Sequence, residues 1–311
     1  MKYLSLFSGI GGFELGIEQS YELSKVGVES QNSTYSPSQS PQHRERPLCV
    51  GSSEIDKYAI QIYEKHFPTH RNLGDITKIK AEELPQFDLL VGGFPCQSFS
   101  VAGKRRGFRD TRGTLFFDIA RILKVKQPRL LLLENVKGLL SHDEGRTFAT
   151  IIATLTELGY DLQWQVLNSK NFGVPQNRER VFIVGHLRGS SRPEVFPFGE
   201  NDSVSSERQG QISPTITSRY YKQGQSDPYI VTEKSKTGKQ SVQQERNQPN
   251  DSDSRGGSAH PASIRRLTPT ECERLQGFPD GWTEGISDTQ RYKCLGNAVT
   301  VNVIKVIADK L

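Results

Sequence analysis

The sequence predicts an α/β fold built on a mostly parallel, Rossmann-like sheet, with a small irregular region attached. Residues 87–91 and 129–133 are short apolar runs bounded by turn residues, which is typical of strands buried on both faces of a parallel sheet. Glycines or acidic residues follow several such runs directly, and open parallel sheets bind ligands at these carboxyl ends of their strands. The 311 residues can supply one large domain, or a large domain with a small one.

Composition narrows the function classes only slightly. The formal net charge of +5 permits a polyanionic partner such as nucleic acid but does not require one. Cys49, Cys96, Cys272 and Cys294 are spaced too widely for a CxxC metal pair or a dense disulfide framework, so we expect no metal. The amino terminus enters a strand at once, without an apolar signal region, and no membrane span is visible, which together predict a cytoplasmic protein.

The first predicted strand, residues 3–7, leads into the glycine turn 8–12 and the start of a helix. Such a turn brings backbone N–H groups to a helix end, where they can receive an anion or the carboxylate of S-adenosylmethionine. The spacing does not match the dinucleotide pattern G-x-G-x-x-G, because Gly16 comes too late. A purely structural turn between strand and helix is the alternative.

A second strand is predicted over residues 47–52, and Glu54 follows it where a carboxylate can accept both hydroxyls of a ribose. Residues 29–46 are polar and rich in Ser, Pro and Gln, which predicts a flexible surface insertion before this strand. A third strand end is expected near residues 73–77 and supplies Asp75 beside the expected adenine position. For Asp75 a helix N-cap is the more frequent role.

The strand predicted over residues 87–91 runs into Gly92-Gly93-Phe94-Pro95-Cys96, which places a cysteine on a turn at a strand end. The glycines allow close backbone approach and the proline stiffens the turn. A helix starting near residue 97 or 98 would lower the thiol pKa, so Cys96 is a candidate nucleophile. The alternative is a small buried core residue, the role that Cys272 and Cys294 are predicted to have.

Glu134 follows the apolar run 129–133 directly, so we expect this carboxylate to lie near Cys96. A half-buried glutamate there can have a raised pKa and act as a proton donor or hydrogen-bond partner. Arg178 and Arg180 enter a later strand with the same parity, so both are predicted to face the cleft and bind a base carbonyl or a phosphate. Surface ion pairing with Glu179 is the alternative for the arginines.

Taken in order, these motifs resemble the DNA (cytosine-5)-methyltransferases of bacterial restriction-modification systems. The resemblance covers residues 1–28, 48–187 and 264–311. Its motifs are 6–12 (Leu-Phe-Ser-Gly-Ile-Gly-Gly), 93–97 (Gly-Phe-Pro-Cys-Gln), 134–136 (Glu-Asn-Val), 176–180 (Gln-Asn-Arg-Glu-Arg), 266–279 and 296–299 (Gly-Asn-Ala-Val). Any single motif can arise by chance, but all of them in this order are hard to explain otherwise.

The resemblance implies a base-flipping reaction on double-stranded DNA. Cys96 would add to C6 of a flipped cytosine while Glu134 bonds N3 and the exocyclic amine and Arg180 holds O2, with Arg178 beside it. The methyl group would come from S-adenosylmethionine, without a metal. The residues implied to hold this methyl donor are Phe7, Ser8, Gly9, Gly11, Gly12, Glu54, Ile55, Asp75, Ile76 and Asn297.

The family pattern also implies where DNA is contacted. Expected contacts near the nucleophile are Gln97, Ser98, Ser100, Lys104, Arg105 and Arg106. Residues 1–187 are predicted to form the catalytic and cofactor-binding domain and 188–263 a short target-recognition region that is partly disordered without DNA. In that region Arg219 and Tyr220 are the candidates for contact with bases and phosphates. Residues 264–311 are predicted to return to the first domain, with a helix starting at Thr268 and a closing helix after Val299.

Other functions stay open at this point. A tRNA cytosine-5 methyltransferase of the same fold would use the same cysteine and glutamate, but it typically carries a Cys-Phe-Thr tripeptide that is absent here. A catalytically silent DNA-binding protein is disfavoured because Cys96, Glu134 and Arg180 are all present. A nicotinamide oxidoreductase accounts only for the first turn. We expect a monomer, and whether a restriction endonuclease acts on the same DNA site is left open.

Overall fold

The computed structural model describes residues 1–29, 45–95, 115–190, 193–198, 212–220, 229–232 and 263–311. The strands are β1 (Lys2–Leu6), β2 (Leu48–Ser53), β3 (Leu89–Gly93), β4 (Leu130–Val136), β5 (Tyr160–Asn168), β6 (Gln176–Asn177), β7 (Glu179–Leu187), β8 (Ser213–Pro214), β9 (Tyr229–Thr232) and β10 (Ser263–Arg266). The α-helices are α1 (Gly12–Glu29), α2 (Lys57–His66), α3 (Leu115–Lys126), α4 (Arg146–Glu157), α5 (Pro269–Gln276), α6 (Asp288–Asn297) and α7 (Val301–Asp309).

Six strands form the central sheet, in the order β2-β1-β3-β4-β7-β5. The pairs among β2, β1, β3 and β4 are parallel, whereas β7 runs antiparallel to both of its neighbours. Leu90 and Leu131 pack into one apolar cluster, while Val91 and Leu132, one residue further along the same strands, pack into another on the opposite face. Since alternate side chains of a strand point to opposite faces, both faces of the sheet are buried, as predicted.

The register of the parallel strands aligns their carboxyl ends along one edge. Leu6 of β1 pairs with Ser53 of β2 and with Gly92 of β3. In the next pair Gly93 of β3 lies opposite Glu134 of β4. The loops that follow these four strands therefore leave the sheet side by side, and this row of loops is called the strand-end row below.

The strand predicted to end near residues 73–77 is not a strand of the sheet. Asn72 makes a single parallel bridge to Ser52, and a 3₁₀ turn follows at Ile76–Lys78. Asp75 is the N-cap of this turn and accepts hydrogen bonds from the N–H and hydroxyl of Thr77, at 3.0 and 2.8 Å. The prediction of a third strand is wrong here because one bridge, rather than a ladder, holds the segment beside β2.

The carboxyl-terminal segment packs against the amino-terminal half. Thr268 is the N-cap of α5, Pro269 is its first residue, and Glu271 completes a capping box. α7 packs against α1, where Ile304 lies in the same apolar cluster as Ile17. In the described part of the chain, no helix has the length and apolar character needed to cross a membrane.

Candidate active site

The loop between β1 and α1, residues 7–11, is shaped by backbone contacts. The N–H of Ser8 donates to the carbonyl of Ser53 (3.2 Å), and the N–H of Gly11 donates to the carbonyl of Ser8 (3.0 Å). Gly11 has φ +89°, and a Cβ at this position would overlap the ring of Phe67, so no other residue fits. α1 begins at Gly12 directly after the loop, and the first N–H groups of a helix have no partner within it.

Glu54 lies one residue beyond β2 and clamps the glycine loop. Its Oε2 accepts the N–H of Gly9 (2.9 Å), and its Oε1 accepts the N–H groups of Ile55 and Asp56 (both 2.8 Å). A carboxylate offers about four lone-pair positions, so these backbone donors leave little capacity for a ligand. If Glu54 binds both hydroxyls of a ribose, one hydroxyl must share Oε2 with the N–H of Gly9 or displace that N–H.

Asn72 is a site residue that the sequence reasoning missed. Its Nδ2 donates to the carbonyl of Glu54 (3.2 Å), and its Oδ1 accepts the N–H groups of Glu54 (3.2 Å) and Gly74 (3.0 Å). One amide side chain therefore joins the end of β2 to the turn that carries Asp75. An isolated asparagine two positions before a glycine gives no signal of this role beyond that of a turn residue.

The other predicted cofactor residues differ in exposure. The Ile55 side chain is 73% exposed next to Glu54, so it offers apolar surface to a ligand ring. Asn297 is exposed at the end of α6. By contrast, the Ile76 side chain is only 3% exposed and lies in the core, with its carbonyl accepting a bond from Arg121 (2.9 Å). The buried Ile76 side chain is therefore not available for contact with a cofactor.

Glu134 and Arg180 form an ion pair at the end of β4. Glu134 Oε1 lies 3.0 Å from Arg180 Nε, and the two side chains are only 12% and 16% exposed. Burial raises the pKa of Glu134, and the positive charges of Arg180 and Arg178 only partly oppose this shift. Since protonation becomes easier as the pKa rises, this carboxyl is suited to donate as well as accept a proton.

Arg178 differs from the prediction, because it faces the interior and not the cleft. Its guanidinium donates to the carbonyls of Ile216 (3.1 Å), Gly296 (3.2 Å) and Ala298 (2.8 Å), and the residue is 2% exposed. Burial and the charge of Arg180 lower its pKa to about 9, so it remains charged at neutral pH. The equal parity assumed for the arginines fails because Arg178 precedes β7, which begins at Glu179. Arg178 therefore joins three chain segments and does not reach a substrate.

Asn135 holds the beginning of the loop that leads to Cys96. Its Nδ2 donates to the carbonyl of Phe94 (2.9 Å), and the residue is 3% exposed. A Cβ at Gly93 would lie 3.2 Å from Glu134 Oε2, so the same loop starts beside the Glu134 carboxylate. The predicted residues that lie outside the described part of the chain are Cys96, Gln97, Ser98, Ser100, Lys104, Arg105 and Arg106.

Of the two predicted recognition residues, Arg219 is exposed and Tyr220 is not. Tyr220 is 0% exposed, its hydroxyl accepts the N–H of Leu267 (2.7 Å), and its ring meets Tyr292 edge-on at 5.1 Å. The structure thus places Tyr220 in the core between the recognition segment and the carboxyl-terminal segment. A phenol whose oxygen and ring are both enclosed is a packing residue, which corrects the expectation of a DNA contact.

The three described cysteines have no reactive surroundings. Cys49, Cys272 and Cys294 are free and buried, which confirms the packing role predicted for the last two, and burial raises each thiol pKa to about 12. Across the described ranges there is no group of three or more His, Cys, Asp or Glu side chains placed to hold a metal ion. Cys96 is therefore the remaining cysteine candidate for a nucleophile.

Fold and site together define an α/β protein with a glycine loop after its first strand and a buried carboxylate–guanidinium pair after its fourth. The family model described as C-5 cytosine-specific DNA methylase matches residues 1–208 and 198–311, which span the whole chain. This chain belongs to that family, and it is an enzyme of the DNA (cytosine-5)-methyltransferase type.

Curated relatives match along the full length of the chain. The type II methyltransferase M1.ScrFI of Lactococcus lactis subsp. cremoris is 41% identical over an alignment covering 100% of this chain and 77% of that protein. The type II methyltransferase M.NlaX of Neisseria lactamica is 37% identical, covering 100% and 96%. Among solved structures, the S. pombe Dnmt2 methyltransferase has a TM-score of 0.63 over 99% of this chain and 96% of that one, at 18% identity, which speaks for the fold alone.

Proposed function

We propose that this protein transfers the methyl group of S-adenosylmethionine to C5 of a cytosine flipped out of duplex DNA, with Cys96 as the nucleophile. The observation that carries the proposal is the strand-end row. The Glu134–Arg180 pair stands opposite Gly93, three residues before Cys96, and the loop that carries Cys96 starts from that glycine.

The proposed reaction follows from the weak nucleophilicity of cytosine C5. The Cys96 thiolate adds to C6. Glu134 gives a proton to N3, so the electrons of the C5–C6 double bond move to the C4–C5 bond and C5 becomes enamine-like. Arg180 holds the O2 carbonyl, since a guanidinium donates well to a planar oxygen. Attack of C5 on the sulfonium methyl group would give a C5-methylated adduct and S-adenosylhomocysteine. The N3 proton then returns to Glu134, a base takes the C5 proton, and the Cys96 thiolate leaves C6. The raised pKa of Glu134 supports its role as the proton donor.

The methyl donor is proposed to lie along the ends of β1 and β2. The glycine loop and the start of α1 suit its carboxylate, the Ile55 side chain offers apolar surface to the adenine ring, and Glu54 stands where the ribose hydroxyls would lie. Asp75 and Asn297 complete the proposed site. Ile55 is 73% exposed beside Glu54, so its side chain is free to cover one face of a ring bound there.

Double-stranded DNA is the proposed substrate, contacted by the residues after Cys96 and by Arg219. Because the relatives that match along the whole chain are named type II methyltransferases, we infer that the protein methylates a short DNA sequence in the cytoplasm of a bacterium. It either protects that sequence from a restriction endonuclease that acts on the same site or acts without such an endonuclease. We also propose that it acts as a monomer.

The test is methyl transfer from labelled S-adenosylmethionine to unmethylated genomic DNA, followed by bisulfite sequencing. We expect 5-methylcytosine at one short recurring sequence, and Cys96→Ser should lower the rate at least about a thousandfold. Cys294→Ala is the matched control, since that buried thiol is inert and its replacement should leave the rate within about twofold. Transfer to tRNA but not to DNA, or full activity of Cys96→Ser, would contradict the proposal.

A further inference from the structure

The carboxyl-terminal segment reaches into the glycine loop through one side chain, Trp282. Trp282 lies between α5 and α6, and its indole Nε1 donates to the carbonyl of Ile10 at 2.9 Å. The two residues are 272 positions apart in the chain and only 7% and 1% exposed. None of the motifs that identify the methyl-donor site includes this tryptophan.

Trp282 is held rigidly from the side of α2. Its indole stacks on the imidazole of His66 with ring centroids 3.6 Å apart and planes 3° from parallel, and His66 Nε2 lies 2.7 Å from the Trp282 carbonyl. Phe278 and Phe67 flank the indole at centroid distances of 5.3 and 6.0 Å. Because the ring is enclosed on several sides, the direction of its N–H is set by packing.

Glu273 fixes the turn on both sides of Trp282. This residue is 0% exposed, and its carboxylate accepts the N–H groups of Gly281 (2.7 Å) and Thr283 (2.8 Å). The guanidinium of Arg291 lies 3.1 Å from Glu273 Oε1 and compensates its buried charge. Because one charged acceptor binds the N–H groups on both sides of Trp282, the position of the indole relative to the glycine loop is fixed.

We propose that Trp282 is a positioning residue for the methyl donor. Its N–H binds the Ile10 carbonyl and directs that oxygen into the protein, away from the carboxylate-binding face of the loop. A free carbonyl oxygen turned toward a bound carboxylate would repel it, whereas the loop N–H groups attract it. The inference rests on the methyl-donor site proposed above and adds a residue through which the carboxyl-terminal segment acts on that site.

Trp282→Phe is the decisive variant, because it removes the N–H and keeps a ring that can stack on His66. We expect KM for S-adenosylmethionine to rise about tenfold, as is typical when one buried hydrogen bond is lost, with kcat and KM for DNA within about twofold of wild type. Trp164→Phe is the matched control, since Trp164 is 47% exposed on β5 at the far edge of the sheet and should leave all three constants unchanged.

A second measurement uses the fact that the chain has only two tryptophans. In the Trp164→Phe protein all tryptophan emission comes from Trp282, and saturating S-adenosylhomocysteine should change its intensity or wavelength. This arm decides the question if Trp282→Phe does not fold, and unchanged emission would then overturn the proposal. The proposal is also overturned if Trp282→Phe keeps the wild-type KM for the donor. It is overturned as well if kcat falls and the KM values for the donor and for DNA rise together. If wild type itself fails to bind S-adenosylhomocysteine by calorimetry, the proposed methyl-donor site fails with it.

Discussion

At the ends of β1 and β2 the site is shaped by backbone groups, whereas at the end of β4 it is shaped by two charged side chains. On the donor side, Glu54 and Asn72 satisfy N–H and carbonyl groups of the loops. On the target side, Glu134 and Arg180 are held by each other and by burial. The proposed donor side therefore has a shape set by hydrogen bonds within the chain, whereas the proposed target side has a charge balance that a bound base would change.

Arg178 and Arg180 show the same contrast, since Arg178 binds backbone carbonyls and Arg180 binds a charged side chain. Arg178 stabilises the protein by joining residues 212–220 to the chain around Asn297, and a Cβ at Gly296 would overlap the backbone of Thr217, so these segments are in direct contact. Arg180 instead pairs with Glu134. The same residue type thus has a structural role at one position and a proposed chemical role two positions later, a contrast that mutation can test.

The largest effect is expected for Arg178→Met. Three buried carbonyls lose their donor, so the free energy of unfolding should fall by about 4 kcal/mol, as measured by urea denaturation. Arg180→Met is the matched control: it leaves the Glu134 carboxyl without its partner, but that carboxyl can take up a proton, so the loss of unfolding free energy should be no more than about half as large. Equal losses of stability in both variants would remove the distinction between the arginines.

Arg180→Met should instead lower the rate of methyl transfer about a hundredfold at saturating S-adenosylmethionine, equivalent to about 3 kcal/mol, because a donor to the developing charge on the base is lost. Single-turnover assays with duplex DNA measure this directly. Binding of S-adenosylhomocysteine should stay at the wild-type level, since the donor side does not depend on this side chain. A rate within threefold of wild type would show that Arg180 does not contact the base.

A buried carboxyl under the donor side, Glu14, predicts a pH effect on stability. Burial raises its pKa to about 7, against an ordinary value of 4.5, while the Tyr63 hydroxyl donates to it at 3.0 Å. The folded state then holds a proton that the unfolded state releases between about pH 4.5 and 7, so this stabilisation is complete below that range and is lost as pH rises through it. Between pH 5 and 8, wild type should lose up to about 3 kcal/mol relative to Glu14→Gln in urea unfolding. Parallel pH curves for the two proteins would contradict this.

The smallest effect is expected for Glu54→Gln. An amide keeps the shape of the clamp but has one acceptor oxygen and no charge, so KM for S-adenosylmethionine should rise about tenfold, or about 1.4 kcal/mol, while kcat changes little. Glu83→Gln, a change at an exposed acid that pairs with Lys80, serves as the control. If Glu54→Gln lowers kcat and leaves KM unchanged, the carboxylate does not belong to the donor side.

Sequence reasoning succeeded where local rules decide the structure. The glycine turn after β1, the acid after β2 and the carboxylate after β4 were all recognisable because apolar runs and turn residues mark strand ends. The capped start of α5 was visible for the same reason, since Thr268 and Pro269 are signals within one turn. The domain boundaries at residues 187 and 264 stay predictions.

What failed depended on contacts distant in the chain. Asn72 and Trp282 lie in ordinary turns, and their importance comes from partners 18 and 272 positions away. The tyrosine expected to meet DNA is buried because Leu267 supplies its partner 47 positions later. Spacing along the chain carries no information about such pairs.

The sequence by itself determined the family, the order of the strand-end motifs and the residue types that perform the chemistry, because these follow from short-range patterns. Only the tertiary structure decided that Arg180 pairs with Glu134 while Arg178 binds buried backbone carbonyls, and that Glu54 is largely occupied by backbone donors. The physical reason is that the burial of a charge and the choice of its hydrogen-bond partner are properties of the packed chain, in which segments far apart in sequence compete for the same polar groups.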